Sequence, residues 1–375
     1  MTNGLKLFLH LSRYDLLKTE LLFFSAIMEN MKYHIAACPE YAGILAAQGF
    51  SLDMLRSIDD LYKIPPIPTL FLKSHTLYST PDERLIFKST TSGTGGKPSL
   101  VGLDWPTARR GLGMVAVTFF THKLFSVFPT NYVLLGYEPA KRNKMGVVKT
   151  MYANTFAAPA LHREYALKDN GSEYILNIDG IKDALIKYQK QGHRVRFIGF
   201  PAYFMFLLKD LQESGIRLRL HPKSIILLAG GWKQFFAQKI EKNELYELSK
   251  EVLGLGGDCF KEIYSVIEHP IIYADCSCHH FHVPVYSRVI IRDINSFKPV
   301  DYGVPGIINL ITPMITSMPF TSIMTDDIAI VHRGEECGCG IKSPFFEILG
   351  RAGLEDIKTC AANAAEMLTV TKHMP

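Results

Sequence analysis

From Leu5 to about Tyr62 the apolar residues recur at three- and four-residue spacing, among them Leu16, Leu17, Leu21, Leu22, Phe24, Ile27, Met28 and Met31. That period predicts a helical N-terminal segment, residues 1–75. The run Ile64-Pro65-Pro66-Ile67-Pro68 ends the helices, because each proline disfavours helix in the residue before it. Beyond it, short apolar runs alternate with helical patterns. The runs at Leu85–Phe87, Tyr132–Leu135, Val195–Ile198 and Ser224–Leu228 read as strands, and Pro106–Thr121 and Tyr203–Ser214 as helices. Continuous apolar strands separated by helices predict an α/β core with a buried parallel sheet. From Phe281 to Val331 the texture changes to Val/Ile-rich strands with Gly and Pro turns: Val283–Ile291, Gly306–Ile311 and Ile328–Val331. This part reads as a β-rich subdomain.

Composition narrows the classes. A chain of 375 residues has room for two domains, or for one large domain with an appendage. Its 41 basic and 36 acidic residues leave a net charge of +5, with no basic cluster of the kind a nucleic-acid binder gathers. Leu21–Met28 and Val115–Phe120 are the longest apolar runs, well short of the roughly 20 residues a membrane span needs. The first residues lack a secretory pattern, which points to a soluble, cytoplasmic protein. Seven cysteines, an odd number, argue against a disulfide framework and towards metal or thiol chemistry.

The sharpest local feature follows the strand at Leu85–Phe87: Ser89, Thr90, Thr91, Ser92, Gly93, Thr94, Gly95, Gly96, Lys97 and Pro98. Glycines and small hydroxyls let backbone N–H groups approach an anion, and Lys97 adds a cation. The spacing is not that of a P-loop. By composition alone the segment is equally a surface loop.

The order Ser-Thr-Thr-Ser-Gly-Thr-Gly-Gly-Lys-Pro resembles the phosphate loop of adenylate-forming enzymes, which make acyl-AMP from a carboxylate and ATP. Further segments extend the resemblance in the same chain order. Gly199-Phe200-Pro201-Ala202-Tyr203-Phe204 is similar to the aromatic acyl-pocket motif. Ala229-Gly230-Gly231-Trp232-Lys233 is similar to the glycine motif beside the adenine. Tyr264 to Glu268 stands where the family carries Tyr-Gly-x-x-Glu, and Thr325-Asp326-Asp327-Ile328 where an aspartate holds the ribose. Gly350-Arg351 matches the hinge. Closer still is the acyl-protein synthetase family of bacterial bioluminescence. Its relatives share the Ser-Thr-Thr-Ser-Gly-Thr, Gly-Gly-Trp-Lys, His-Val-Pro and Thr-Asp-Asp-Ile segments and end in a tail with an acyl-accepting cysteine. Cys360 occupies that place here.

The resemblance implies an adenylating core, residues 76–349, and a hinge with a short tail, residues 350–375. It implies ATP-dependent activation of a carboxylic acid, a fatty acid by the resemblance to the bioluminescence family, with Mg²⁺ held by Glu268. The acyl group would pass to Cys360 and then to a partner protein, a reductase or a carrier. Phe200, Tyr203 and Phe204 would line the acyl pocket; Gly230, Gly231, Asp327 and Arg351 would hold the nucleotide, with Asp326 the alternative to Asp327. The larger C-terminal domain of many adenylate-forming enzymes, with its lysine, has no counterpart, so Lys97 or Lys233 would carry that charge. Other readings stand beside these. The two aspartates also read as a polar turn before a strand at Ile328–Val331, and Cys360 as a structural cysteine on a helix. A ligase that makes a CoA or carrier thioester would not need Cys360.

Four more cysteines lie in close pairs, Cys276/Cys278 and Cys337/Cys339, the first beside His279, His280 and His282. Thiols and imidazoles are the donors tetrahedral Zn²⁺ prefers. The phenylacetate-CoA ligase branch of the superfamily implies a structural zinc on Cys276, His282, Cys337 and Cys339, with Cys278 or His280 as a substitute ligand.

Overall fold

A computed structural model describes residues 2–90, 100–143, 145–230 and 240–352. Two compact units emerge: residues up to Met114 together with those from Val266 onwards, and Val115–Ser265. The division differs from the boundaries read off the sequence, because the N-terminal helices pack on the β-rich part.

In the first unit, helices span Asn3–Phe8, Leu16–Ala37 and Pro39–Ala47. Asp15 caps the long helix, its carboxylate accepting the Lys18 N–H at 3.2 Å. The helix stops at Cys38, which is extended because Pro39 follows and opens the next helix. Phe23, Ala26, Ile27 and Met31 form its buried stripe. From the same face Asn30 and His34 reach the Ile315 carbonyl, at 2.7 and 3.1 Å.

The sheet under these helices runs in the order Phe281–His282, Phe345–Arg351, Ser322–His332, Gly306–Ile311, Arg288–Arg292, each neighbour antiparallel. Ile67–Pro68 pairs parallel to Ser322–His332. The expected strand at Val283–Ile291 is shorter, Arg288–Arg292, because Pro284 lacks an N–H and its carbonyl closes a turn onto Ser287. The expected strand at Ile328–Val331 is longer, and Asp326 and Asp327 sit inside it rather than in a turn. A separate hairpin joins Leu85–Thr90 to Leu100–Asp104.

The second unit is the parallel α/β part. Its strands run Tyr174–Leu176, Ala160–Asp169, Thr130–Tyr137, Arg194–Gly199, Ile225–Ala229 and Phe260–Val266, parallel except for the first. Side chains of Thr130–Tyr137 alternate between two cores: Val133 and Leu135 enter one, Tyr132 and Leu134 the other. Burial on both faces is why Tyr132–Leu135 reads as an unbroken apolar run. Helices Ile178–Gln191, Pro201–Glu213 and Lys242–Leu253 cover the first core. Among the described residues no helix is long and apolar enough to cross a membrane.

Candidate active site and metal centre

Two loops at the edge of the antiparallel sheet build the thiol cluster. Cys276 begins a tight turn whose N–H and carbonyl both bond across it, to the His280 carbonyl and from the His279 N–H, each at 3.0 Å. The turn leads into the edge strand Phe281–His282. Cys337 and Cys339 lie in the connection between Ser322–His332 and Phe345–Arg351. Ligand atoms of Cys276, His282, Cys337 and Cys339 all fall within 4.8 Å of one another. The Cys276 and Cys337 sulfurs are 3.5 Å apart, and the Cys339 sulfur lies 3.2 Å from His282 Nε2. His282 Nδ1 donates to the Ser343 carbonyl at 2.8 Å, which leaves Nε2 as the free lone pair facing the thiols. Backbone N–H groups of Cys278 and Ile341 donate to the Cys276 and Cys339 sulfurs, at 3.3 and 3.4 Å.

Burial pushes the Cys276 thiol up, but hydrogen bonds from His282, from the backbone and from Cys337 outweigh it and hold the thiol below its ordinary range. Burial, reinforced by the neighbouring thiols, drives Cys337 the other way. The donor set fits a tetrahedral site for a soft divalent metal, which would settle all three sulfurs as thiolates. Cys278 is exposed and stands outside the group. His280 Nδ1 lies 3.2 Å from the Cys337 sulfur while its ring stacks on Phe345 at 4.4 Å.

Asp327 and Arg351 are direct cross-strand partners. The Arg351 Nε donates to the Asp327 carboxylate at 3.1 Å, and Nη1 stands 3.7 Å from Asp326. Strand alternation separates the aspartates: Asp327 is buried, Asp326 half-exposed. The Thr325 hydroxyl accepts the Asp327 N–H at 3.0 Å, so Asp327 is fixed from both backbone and side chain. Glu268 is buried in the turn between Phe260–Val266 and His269–Ala274. His269, next in sequence, is fully buried, with Nε2 2.9 Å from the Tyr273 hydroxyl, which in turn contacts Ser287.

In the α/β unit, Gly199 ends its strand at φ +141°, where an added Cβ would stand 2.5 Å from the Leu135 carbonyl oxygen. Only glycine fits there. The Phe200 N–H then donates to that same carbonyl at 3.1 Å, and Pro201 opens the helix. Gly199 pairs with Leu228 of the neighbouring strand, so Phe200 and Gly230, at φ +83°, leave the same end of the parallel sheet. That end is where open α/β sheets bind ligands. The three aromatic pocket candidates separate. Phe204 has no exposure and packs edge-on against Phe197 and Phe260, at 5.3 and 5.8 Å, as core. Phe200 belongs to the opposite cluster, with Met151 and Ile198, while Tyr203 packs against both clusters.

Ser89 and Thr90 fall in the hairpin strand, opposite Val101 and Leu100. Thr91, Ser92, Gly93, Thr94, Gly95, Gly96, Lys97, Gly231, Lys233 and Cys360 lie outside the described residues.

A family model described as acyl-protein synthetase, LuxE, matches residues 11–369. This chain belongs to that family. Two curated relatives are the long-chain-fatty-acid–luciferin-component ligases of Vibrio harveyi and Aliivibrio fischeri. The first is 25% identical over 324 residues, 83% of this chain and 80% of the relative. The second is 24% identical over 361 residues, 91% of this chain and 87% of the relative. Among solved structures, a 2-hydroxyisobutyryl-CoA ligase in complex with 2-HIB-AMP and CoA superposes with a TM-score of 0.64 at 15% identity, covering 89% of this chain and 75% of the ligase. The fold is that of the large domain of adenylate-forming ligases.

Two supports of the acyl-protein synthetase's thiol cluster had no signal in residue type. One is the Ser343 carbonyl that orients His282. The other is Gly334, where a Cβ would stand 2.2 Å from the Lys342 carbonyl oxygen, so only glycine lets this turn pass under the segment carrying Ser343.

Proposed function

We propose that this acyl-protein synthetase activates a long-chain carboxylic acid with ATP as acyl-AMP and carries the acyl group on Cys360, for delivery to a partner protein such as a reductase or a carrier. Family membership over residues 11–369, a span containing both the Gly-rich hairpin connection and Cys360, carries the reading. In the first step a carboxylate oxygen attacks the α-phosphorus, the α–β phosphoanhydride breaks and pyrophosphate leaves. Ser89 to Lys97 cradle the phosphates, and Asp327, fixed by Arg351, accepts the ribose hydroxyls. Mg²⁺, held by Glu268, would offset phosphate charge. Phe200 and Tyr203 wall the acyl pocket. In the second step the Cys360 thiolate attacks the acyl carbon and AMP leaves with the electrons of the broken C–O bond, the thiol proton going to solvent. Cys276, His282, Cys337 and Cys339 would hold a structural Zn²⁺, four protein ligands leaving no position for substrate. The unpaired thiols among the described residues and the need for ATP support a cytoplasmic location.

ATP–pyrophosphate exchange over a panel of carboxylic acids tests the first step. Exchange that requires a fatty acid and Mg²⁺ and drops in Asp327→Ala is the expected outcome. Absence of exchange with every acid would refute the reading.

A further inference from the structure

One face of the α/β unit is built unlike the rest of the surface. Between Trp105 and Arg163 the sequence carries eight lysines and arginines and a single acidic residue, Glu138; of these cations Arg142 is paired with Asp169, and Glu164, which follows, is paired with Lys168. The same stretch exposes large apolar side chains: Phe120 by 80%, Val127 by 83%, Phe128 by 56% and Phe156 by 69%. The fold gathers the last three. A hydrogen bond of 2.9 Å from the Ser126 N–H to the Ala157 carbonyl sets the loop after helix Trp105–Thr121 beside the turn Asn154–Ala157, around a shallow depression of about 570 Å³.

Cations are interleaved with these rings. The Arg194 guanidinium lies 4.3 Å from the Phe128 ring centre and donates to the Ser126 hydroxyl. Arg163 lies 5.4 Å from the Tyr152 ring and 5.9 Å from Phe156. Neither guanidinium, nor Lys123 at the helix end, meets a carboxylate among the described residues. Each arginine therefore lays its flat face on an apolar ring and keeps donors for an oxyanion.

We propose that this face docks on an anionic lipid surface. Phe125, Val127, Phe128 and Phe156 enter at the depth of the headgroups, and Lys123, Arg163 and Arg194 meet the phosphates. Charge complementarity favours this occupant. The face presents cations without partnered acids, and its shallow form offers no deep pocket for a protein anchor, while phosphates on a fluid surface need no matching shape. Under the activity proposed above, the same contact would bring the enzyme to where a long-chain acid resides; the lipid contact itself rests on the surface alone.

Sedimentation of the full chain with vesicles is the test. With vesicles of phosphatidylcholine plus about a third phosphatidylglycerol, the wild type should pellet, and binding should fall about tenfold or more when salt is raised from 50 to 500 mM. Phosphatidylcholine alone should bind it weakly. Val127→Glu/Phe156→Glu, at exposed positions outside the catalytic machinery, should lose tenfold or more of the vesicle binding, with an unchanged circular dichroism melt and unchanged pyrophosphate exchange towards a soluble medium-chain fatty acid. Equal pelleting of wild type and variant overturns the proposal. Absence of pelleting with the anionic vesicles does so too, and if the variant then dissolves an oligomer in ultracentrifugation, the face is a protein contact instead. Exchange is read separately, so failure of the lipid contact and failure of the activity are told apart.

Discussion

Replacing Cys337 with serine tests the metal centre quantitatively. Cys276 and Cys337 are 61 positions apart in sequence, and their sulfurs are 3.5 Å apart. A metal bridging them binds the folded chain and not the unfolded one, and with free metal about a thousandfold above its Kd this cross-link is worth about 4 kcal/mol. For a folded body of roughly 200 residues each kcal/mol moves the melting temperature by about 2–4 °C, so loss of the cross-link should lower it by roughly 10 °C. Scanning calorimetry in reductant, with elemental analysis of the purified protein, reads both quantities. Wild type should hold Zn²⁺ at one per chain and lose the same increment to a strong chelator. Cys337→Ser should lack the metal. Cys278→Ser should keep both metal and melt, because Cys278 contributes its backbone N–H and not its exposed thiol. Wild-type protein free of metal, or a Cys337→Ser melt within about 1 °C of wild type, would refute the reasoning.

Three further outcomes follow from the geometry. Asp327→Asn should raise the KM for ATP in pyrophosphate exchange about tenfold, the loss of one charge-assisted hydrogen bond, and Asp326→Asn much less, since Asp326 stands farther from Arg351; equal effects would contradict the assignment. His34 and His269 are held down to about 4 and about 3 by burial, below the ordinary value of 6.5. Below pH 6.5 the unfolded chain takes up the proton first, so stability is present at neutral pH and drains as pH falls, by up to about 1.4 kcal/mol per pH unit for each histidine. Urea midpoints between pH 7 and pH 5 should show this, with roughly half the slope in His269→Gln. Gly199→Ala should destabilise by about 1–3 kcal/mol, since its Cβ would meet the Leu135 carbonyl, and a wild-type denaturation midpoint would count against that crowding.

Much of this was legible in the sequence where periodicity and residue type coincide. The unbroken apolar runs at Tyr132–Leu135 and Ile225–Leu228 became central parallel strands because both faces are covered. The two cysteine pairs and His282 announced themselves by donor chemistry, and folding gathers them. Pairing geometry was not legible. Nothing local places Asp327 opposite Arg351, and the aspartates read as a turn because their strand begins with Ser322 and Thr325, polar residues buried by their neighbours in the sheet. Phe204 shared a motif with Phe200 and Tyr203, yet the helical period turns it into the core. The backbone carbonyl of Ser343 carries no signature in sequence at all.

Intact mass measurement after incubation with ATP, Mg²⁺ and a fatty acid tests the central claim most directly. The wild type should gain the mass of one acyl group, removable by neutral hydroxylamine as a thioester is, and Cys360→Ala should gain none while still exchanging pyrophosphate. An unchanged gain in Cys360→Ala, or a wild type that forms acyl-AMP but takes up an acyl group only when CoA is supplied, would contradict it.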